Sequence, residues 1–448
     1  MAQITNVLPK VRQQYEEYPY PERNPEHEKT RLIVPYFSRL DIVSHQCFGG
    51  KQDFKNFRVL IAGGGTGDSL ILWAQQLQGK AGAEVVYLDM SAASMEIAKK
   101  RALVRKLTNI KWVHDSLLNL PQLGLGAFDF INCTGVLHHL ENPDAGLQAL
   151  KSVLKPEGAM NLMVYAPYGR AGVYQIQNLM RLVNGNEQSP QKKVKNAREI
   201  LKSLPQHHWF NIVRQIGWGY SDADHDAGIH DLFLHTQDRA YTILEVHDWL
   251  EKAGLKMSGE PGFANGQMNY IPQSFIKDKA LLEEVNRHPL KVRQAIGEAI
   301  ANKIQTHEFF VVAEGRENPA ATLAGRELIP WEGIAAQVTF EKLAGIAEKH
   351  NDDFTITFDA QMGKPSLSVP KGKHVPALLR AIDGKKSVGE IVEELKKAGG
   401  AEPEIMADFE KLLVMLNRGH ALFLRHPSVE PYTTIQSFDA RIKTLYAS

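Results

Sequence analysis

Residues 57–74 read Phe-Arg-Val-Leu-Ile-Ala-Gly-Gly-Gly-Thr-Gly-Asp-Ser-Leu-Ile-Leu-Trp-Ala, and this stretch constrains the fold more than any other. Val59, Leu60, Ile61 and Ala62 are apolar without alternation, which suits a strand covered on both faces of a parallel sheet. Gly63, Gly65 and Gly67 then permit a tight turn and a close ligand. Leu70, Ile71, Trp73 and Ala74 begin a helix whose free N–H groups face the same point. A glycine spacing alone says little, but set between a strand and a helix it predicts a ligand site. A plain strand-to-helix turn is the competing reading.

About 20 residues on, Glu84-Val-Val-Tyr-Leu-Asp89 reads as a second buried strand ending in a carboxylate. Two ribose hydroxyls present two donors, so Asp89 is the expected ribose acid, with Met90 beside it. The glycine set closes with a gap of one residue, where a dinucleotide fingerprint has two. Asp68 follows, a charge expected to repel a phosphate and to tolerate a cation.

At this point the chain resembles the class I S-adenosylmethionine-dependent methyltransferases. Three further stretches match that family in order: Asn109-Ile-Lys-Trp-Val-His-Asp115-Ser116-Leu117, then Phe128-Asp-Phe-Ile-Asn-Cys-Thr-Gly135-Val-Leu-His138-His139-Leu140, then Leu154-Lys-Pro-Glu-Gly-Ala-Met-Asn-Leu-Met-Val. The resemblance implies an α/β fold with a Rossmann-like seven-stranded sheet whose last two strands pair at one edge. It also implies S-adenosyl-L-methionine as cofactor and S-adenosyl-L-homocysteine as product. Gly63, Gly65, Gly67, Asp89, Met90, Asp115, Ser116, Leu117 and Gly135 are the cofactor-binding residues it implies, Asp115 lying against the adenine. His138 and His139 end strand four, where ligands bind in open parallel sheets, and are the first catalytic candidates, a loop-stabilising role being the alternative.

Composition excludes several classes. Lys plus Arg number 52 against 51 Asp plus Glu, so no global field draws the chain to nucleic acid or to an anionic membrane. Cys47 and Cys133 are the only cysteines, far apart and without metal-like spacing, which argues against a disulfide framework or structural zinc and fits a reducing cytoplasm. No run is apolar and long enough for a bilayer, and no leader pattern opens the chain.

Residues 1–56 are expected to cover the cofactor site. Tyr15, Tyr18 and Tyr20 alternate with Pro19 and Pro21, a pattern predicted to be extended and to lay aromatic faces over the site as acceptor-binding residues, together with Tyr165; an aromatic strap packed on the domain surface is the alternative. An apolar pattern from Arg31 to Gly50 predicts a helix leading into the core. The core, 57–315, is interrupted at 166–239 and 264–306. The first insertion carries an amphipathic helix around Ile176, a basic one around Lys192–Lys202, and the segment Asp222 to His235, rich in histidine and acid. A metal is not expected there, because the spacings fit no ligand signature. Asp231 and His235 read better as active-site groups, the carboxylate holding a cationic amine and the imidazole taking its proton, with a hydrogen-bonded loop as the alternative.

After turn formers at 315–325, a separate unit, 316–448, shows amphipathic helices through Val388–Leu395 and Ile405–Leu416 and a strand at Ala421–Arg425. It resembles a small winged-helix-like α+β module, yet its second helix bears more acid than base, which disfavours DNA. A peptide-binding role and a structural or homodimer-forming role have equal claim. For the methyl acceptor, the architecture is loosely similar to multidomain bacterial protein lysine methyltransferases and favours an amine of a protein or peptide. A phenolic or lipid-like small molecule is the alternative, and an inactive cofactor-binding scaffold the third reading.

Overall fold

The computed structural model describes residues 5–6, 8–187, 189–215, 224–262, 264–317, 319–333, 339–357 and 366–432. The glycine stretch lies at its centre. Strands β1 (Arg58–Ala62), β2 (Glu84–Asp89), β3 (Ile110–His114), β4 (Phe128–Thr134), β5 (Leu154–Tyr165), β6 (Leu255–Ser258) and β7 (Thr306–Ala313) form one sheet in the order β3-β2-β1-β4-β5-β7-β6. The first five are parallel, and β7 runs antiparallel to both β5 and β6. The edge pairing therefore stands as expected.

Alternation along each strand sorts the core onto two faces. Leu60, Ala62, Val86, Leu88, Ile131, Cys133, Met160, Leu162 and Val311 point into one apolar cluster. Val59, Ile61, Val85, Tyr87, Phe130, Ala159, Phe310 and Val312 point into the other, against Trp73 of α3 (Asp68–Leu77). A strand buried on both faces has no polar side to show, hence the continuous apolar runs. Helices α4 (Ala92–Val104), α5 (Pro143–Ser152) and α10 (Ile243–Lys252) complete the layers. Helix α10 opens on a capping box of Thr242 and Glu245 and ends at Gly254, whose φ of +64° is the expected left-handed cap.

Two N-terminal expectations need correction. Residues Pro9–Glu17 form a helix, α1, rather than an extended segment. Pro9 occupies its first turn, where no N–H is needed, and Pro19 ends it by restricting Tyr18; the prolines bound this helix instead of preventing it. The helix predicted from Arg31 to Gly50 is confined to α2 (Leu40–Cys47), preceded by a 3-10 turn at Tyr36–Ser38 that begins after Pro35.

The first insertion holds α6 (Ala171–Asn184), α7 (Pro190–Ser203), α8 (Trp209–Gln215) and α9 (Asp226–Phe233), packed on each other through Val173, Ile176, Met180, Val194, Phe210, Ile229 and Phe233. The second holds α11 (Lys279–Asn286) and α12 (Leu290–Ala301). The C-terminal region comprises β8 (Ile329–Glu332), α13 (Phe340–Ala347), the antiparallel pair β9 (Phe354–Thr357) and β10 (Ser366–Val369), helices α14 (Val375–Ala381), α15 (Val388–Lys397) and α16 (Glu402–Arg418), and β11 (Leu422–Arg425). Helices α15 and α16 and strand β11 lie where periodicity places them; the other elements there had no strong sequence signal. Strand β11 pairs with β8 and also docks on α2, where the Leu424 N–H donates to His45 Nδ1 at 3.0 Å and Phe423 enters the core cluster.

Candidate active site

The carboxyl ends of the parallel strands assemble the cofactor candidates on one rim. Gly63, Gly65 and Gly67 adopt φ of +71°, +51° and +101° between β1 and α3. Gly65 has a second reason to lack a side chain, since a Cβ there would meet the Tyr20 carbonyl at 2.6 Å. Asp89, at the end of β2, accepts the Gly65 N–H at 2.7 Å and the Ser91 N–H at 2.8 Å. Burial raises its pKa, and these two amides pull the other way. Each carboxylate oxygen keeps a second lone pair for a ligand hydroxyl. Asp115 follows β3 and accepts the Ser116 N–H and the Asn119 amide, both at 2.7 Å, and Leu117 is buried beneath. Met90 accepts His114 Nε2 through its carbonyl at 3.0 Å. Gly135, at the end of β4, has φ +77° and donates to the Met163 carbonyl.

The N-terminal segment lies directly over this rim. Glu16 accepts the Ala92 and Ala93 N–H groups at the start of α4, Ser91 Oγ donates to the Tyr15 carbonyl, and Thr66 donates through N to Tyr20 O and through Oγ1 to Pro21 O. Arg23 reaches Asp68 with Nε and Nη2 at 2.9 and 2.6 Å, and Arg101 adds a contact at 2.7 Å. Asp68 is therefore neutralised by two guanidiniums, so the expectation that its charge sorts ligands does not hold.

Deeper in, α1, the loop after β4, the end of β5 and α9 bring six of the sequence candidates together. Asp231 is buried; its Oδ1 accepts the Tyr15 hydroxyl at 3.2 Å and its Oδ2 the Tyr165 hydroxyl at 3.1 Å. His139 and His235 stack with ring centroids 3.8 Å apart, and His138 lies 3.8 Å from the Tyr165 ring. Burial lowers the pKa of all three imidazoles and raises that of Asp231, on which His139, Arg170 and the tyrosine hydroxyls act in the opposite sense.

The peptide at Gln237 fixes two tautomers. Its carbonyl can only accept, so His139 Nδ1, 2.9 Å away, carries the proton and leaves a lone pair on Nε2. Its N–H donates to His235 Nδ1 at 3.1 Å, so neutral His235 carries its proton on Nε2, which donates to the Tyr15 oxygen at 3.3 Å. The directed chain His235 to Tyr15 to Asp231 follows. His139, Asp231 and His235 each place a ligand atom within 4.8 Å of the others. A cation there would meet one imidazole lone pair, one carboxylate and one N–H, so the arrangement suits proton handling better than metal ligation. On the same ground His139, rather than His235, keeps an open ring lone pair.

Two tyrosines fall outside this cluster. Tyr18 stacks on His230 with centroids 5.0 Å apart, and Tyr20 contributes its carbonyl to the glycine loop. Asp222 lies outside the described residues, while Asp224 and Asp226 pair with Arg214 and Arg198. The basic helix α7 spends Lys192, Arg198 and Lys202 on ion pairs, as a solvated face does. Sequence reasoning missed Glu16, Gln237 and Arg170. No periodicity or motif distinguishes them: Glu16 and Gln237 act through partners distant in the chain, and Arg170, beside Tyr165 and Tyr174, sits in no recognisable pattern.

The family model described as a methyltransferase domain matches residues 60–160, from β1 into β5. An uncharacterized protein of Synechococcus is 34% identical over 215 residues, 48% of this chain and 50% of that protein. The tRNA 5-carboxymethoxyuridine methyltransferase of Escherichia coli is 32% identical over 116 residues, 26% of this chain and 42% of that enzyme. The chain thus spans about half the length of the curated relatives it matches. PKMT2 of Rickettsia typhi, solved in complex with AdoHcy, superposes with a TM-score of 0.59 at 16% identity, covering 89% of this chain and 76% of that one. Among the described residues no helix is long and apolar enough to cross a membrane. The strand order, the glycine loop at β1 and the methyltransferase-domain match at residues 60–160 agree on the class I S-adenosylmethionine-dependent methyltransferase fold.

Proposed function

We propose that this chain transfers the methyl group of S-adenosylmethionine to an amine of a protein or peptide, releasing S-adenosylhomocysteine. Gly63, Gly65, Gly67, Asp89, Met90, Asp115, Ser116, Leu117 and Gly135 form the seat for the cofactor, within a catalytic core at 57–315. Residues 1–56 cover that seat, and 316–448 serve as an accessory unit. When bound, the cofactor supplies a methyl carbon made electrophilic by its positive sulfur.

The carrying observation is the buried carboxylate of Asp231, held by Tyr15 and Tyr165 beside the free Nε2 lone pair of His139. A buried carboxylate binds a cation. An ammonium group entering the cluster is attracted by Asp231, and His139 Nε2 accepts one of its protons. The lone pair so exposed on the acceptor nitrogen would be the nucleophile for the methyl carbon of a bound cofactor, whose sulfur would depart as a neutral thioether. The positive charge passes from sulfur to nitrogen and is spread between them on the way, so orientation and exclusion of water carry the rate. The polar lining favours this reading over a closed apolar pocket for a lipid-like acceptor.

Labelled-methyl transfer into a host lysate, separated into protein, nucleic-acid and small-molecule fractions, tests it. Label in protein is expected, converted by hydrolysis to a methylated amine; label confined to another fraction overturns the acceptor class. Asp231→Asn removes the charge while keeping the shape, and incorporation should fall by roughly a hundredfold or more.

A further inference from the structure

Arg170 stands at the entrance of α6 with its residue only 3% exposed, and its guanidinium carbon lies 3.6 Å from the centre of the Tyr165 ring. His138 lies 3.8 Å from the same ring, so both groups pack on it. Tyr165 in turn donates to Asp231, which ties Arg170 to the acceptor cluster. The Nε and Nη2 groups of Arg170 are buried without a carboxylate or carbonyl partner among the described residues, and the neighbouring Tyr174 hydroxyl interacts with the guanidinium.

Those two nitrogens form one edge of the guanidinium, the side that grips a carboxylate with parallel N–H bonds. Elsewhere this protein spends that edge on carboxylates: Arg23 on Asp68, Arg418 on Glu260, and Arg39 on Asp41. A buried charged donor left unpaired is costly, and native structures seldom keep one without a use.

We infer that the open edge of Arg170 receives a carboxylate of the bound ligand, and that this carboxylate belongs to the acceptor. The inference rests on reading the Asp231 cluster as the acceptor site. The other carboxylate available is that of the cofactor's amino-acid tail, but Arg170 adjoins Tyr165, Tyr174 and His138 rather than the glycine loop. The acceptor then carries an acidic group close to its nucleophile, as a peptide does where an aspartate, a glutamate or a chain terminus adjoins the methylated residue.

The test uses the full chain with acetate as probe, against chloride at equal ionic strength, and calorimetry with S-adenosylhomocysteine. Acetate should raise the unfolding midpoint of the wild type but not that of Arg170→Met or Arg170→Lys, the latter keeping the charge without the fork. Arg170→Met should unfold no earlier than the wild type when no ligand is present, because it removes an unpaired buried charge. Affinity for S-adenosylhomocysteine should stay within about twofold in both variants, whereas loss of roughly two hydrogen bonds to a charged group corresponds to tenfold or more. A tenfold loss would reassign the edge to the cofactor tail. An early-unfolding Arg170→Met would make the guanidinium structural, and a wild type indifferent to acetate would remove the site. Failure of S-adenosylhomocysteine to bind the wild type at all would instead strike the methyltransferase reading.

Discussion

Glu28 is the residue whose loss should reveal how the N-terminal segment is held to the glycine turn. It is 3% exposed, and its two oxygens accept Nε of Arg101 and Nε of Arg105, which are 1% and 4% exposed. Glu28→Gln keeps the volume but turns an amide N–H₂ towards one guanidinium. Removing one partner of a buried ion pair costs about 3–5 kcal/mol. The lower end applies here, because neither arginine becomes an orphan: Arg101 retains the Thr66 carbonyl at 2.9 Å and Asp68 at 2.7 Å, and Arg105 retains the Arg31 carbonyl at 2.6 Å. Urea unfolding should therefore report a loss of about 3 kcal/mol with an unchanged slope. Arg101 also supports Thr66 and Asp68 in the glycine turn, so calorimetry should show weaker S-adenosylhomocysteine binding. A destabilisation under about 1 kcal/mol, the range of exposed pairs, would refute the argument that burial makes this network matter.

Other outcomes test separate parts. Asp89→Ala should weaken S-adenosylhomocysteine binding roughly tenfold or more through lost charge-assisted hydrogen bonds; unchanged affinity in calorimetry would remove the ribose assignment. His45, buried with its pKa lowered from 6.5 to about 4, accepts the Leu424 N–H only while neutral, so its contribution is intact above pH 6.5 and drains away as pH falls towards 4. The span amounts to roughly 3 kcal/mol, and His45→Asn, which keeps an acceptor oxygen, should flatten that acid limb in pH-dependent unfolding; an identical limb in both proteins rejects it. Tyr15→Phe should slow turnover without changing S-adenosylhomocysteine affinity, and a matching drop in affinity would place that hydroxyl's role in the cofactor seat instead.

The sheet was legible because burial on both faces forces continuous apolar runs, and the glycine turn because its backbone angles exclude most side chains. His138 and His139 were legible from their position after β4. Asp231 and His235 were singled out on chemistry, though not which imidazole keeps a lone pair: that depends on a peptide at Gln237 that contacts His139 from 98 residues away. Tyr15 meets Asp231 across 216 residues. Contacts of such separation leave no local pattern, and the same holds for Arg23 on Asp68, whose pairing cancels a charge that looked informative in the sequence. The prolines near Tyr18 misled for a different reason. They forbid a helix through their own positions but say nothing against one that ends just before them.

The nine residues from Tyr15 to Arg23 touch both halves of the site. The Tyr15 hydroxyl enters the Asp231 cluster, while its carbonyl and the Glu16 carboxylate hold the start of α4 beside Asp89. The Tyr20 and Pro21 carbonyls and Arg23 hold the glycine turn. Ordering a chain segment costs about 1–2 kcal/mol per residue, a cost met once whichever half is formed first. Whatever orders this segment on one half of the site therefore also places Tyr15 against Asp231 on the other.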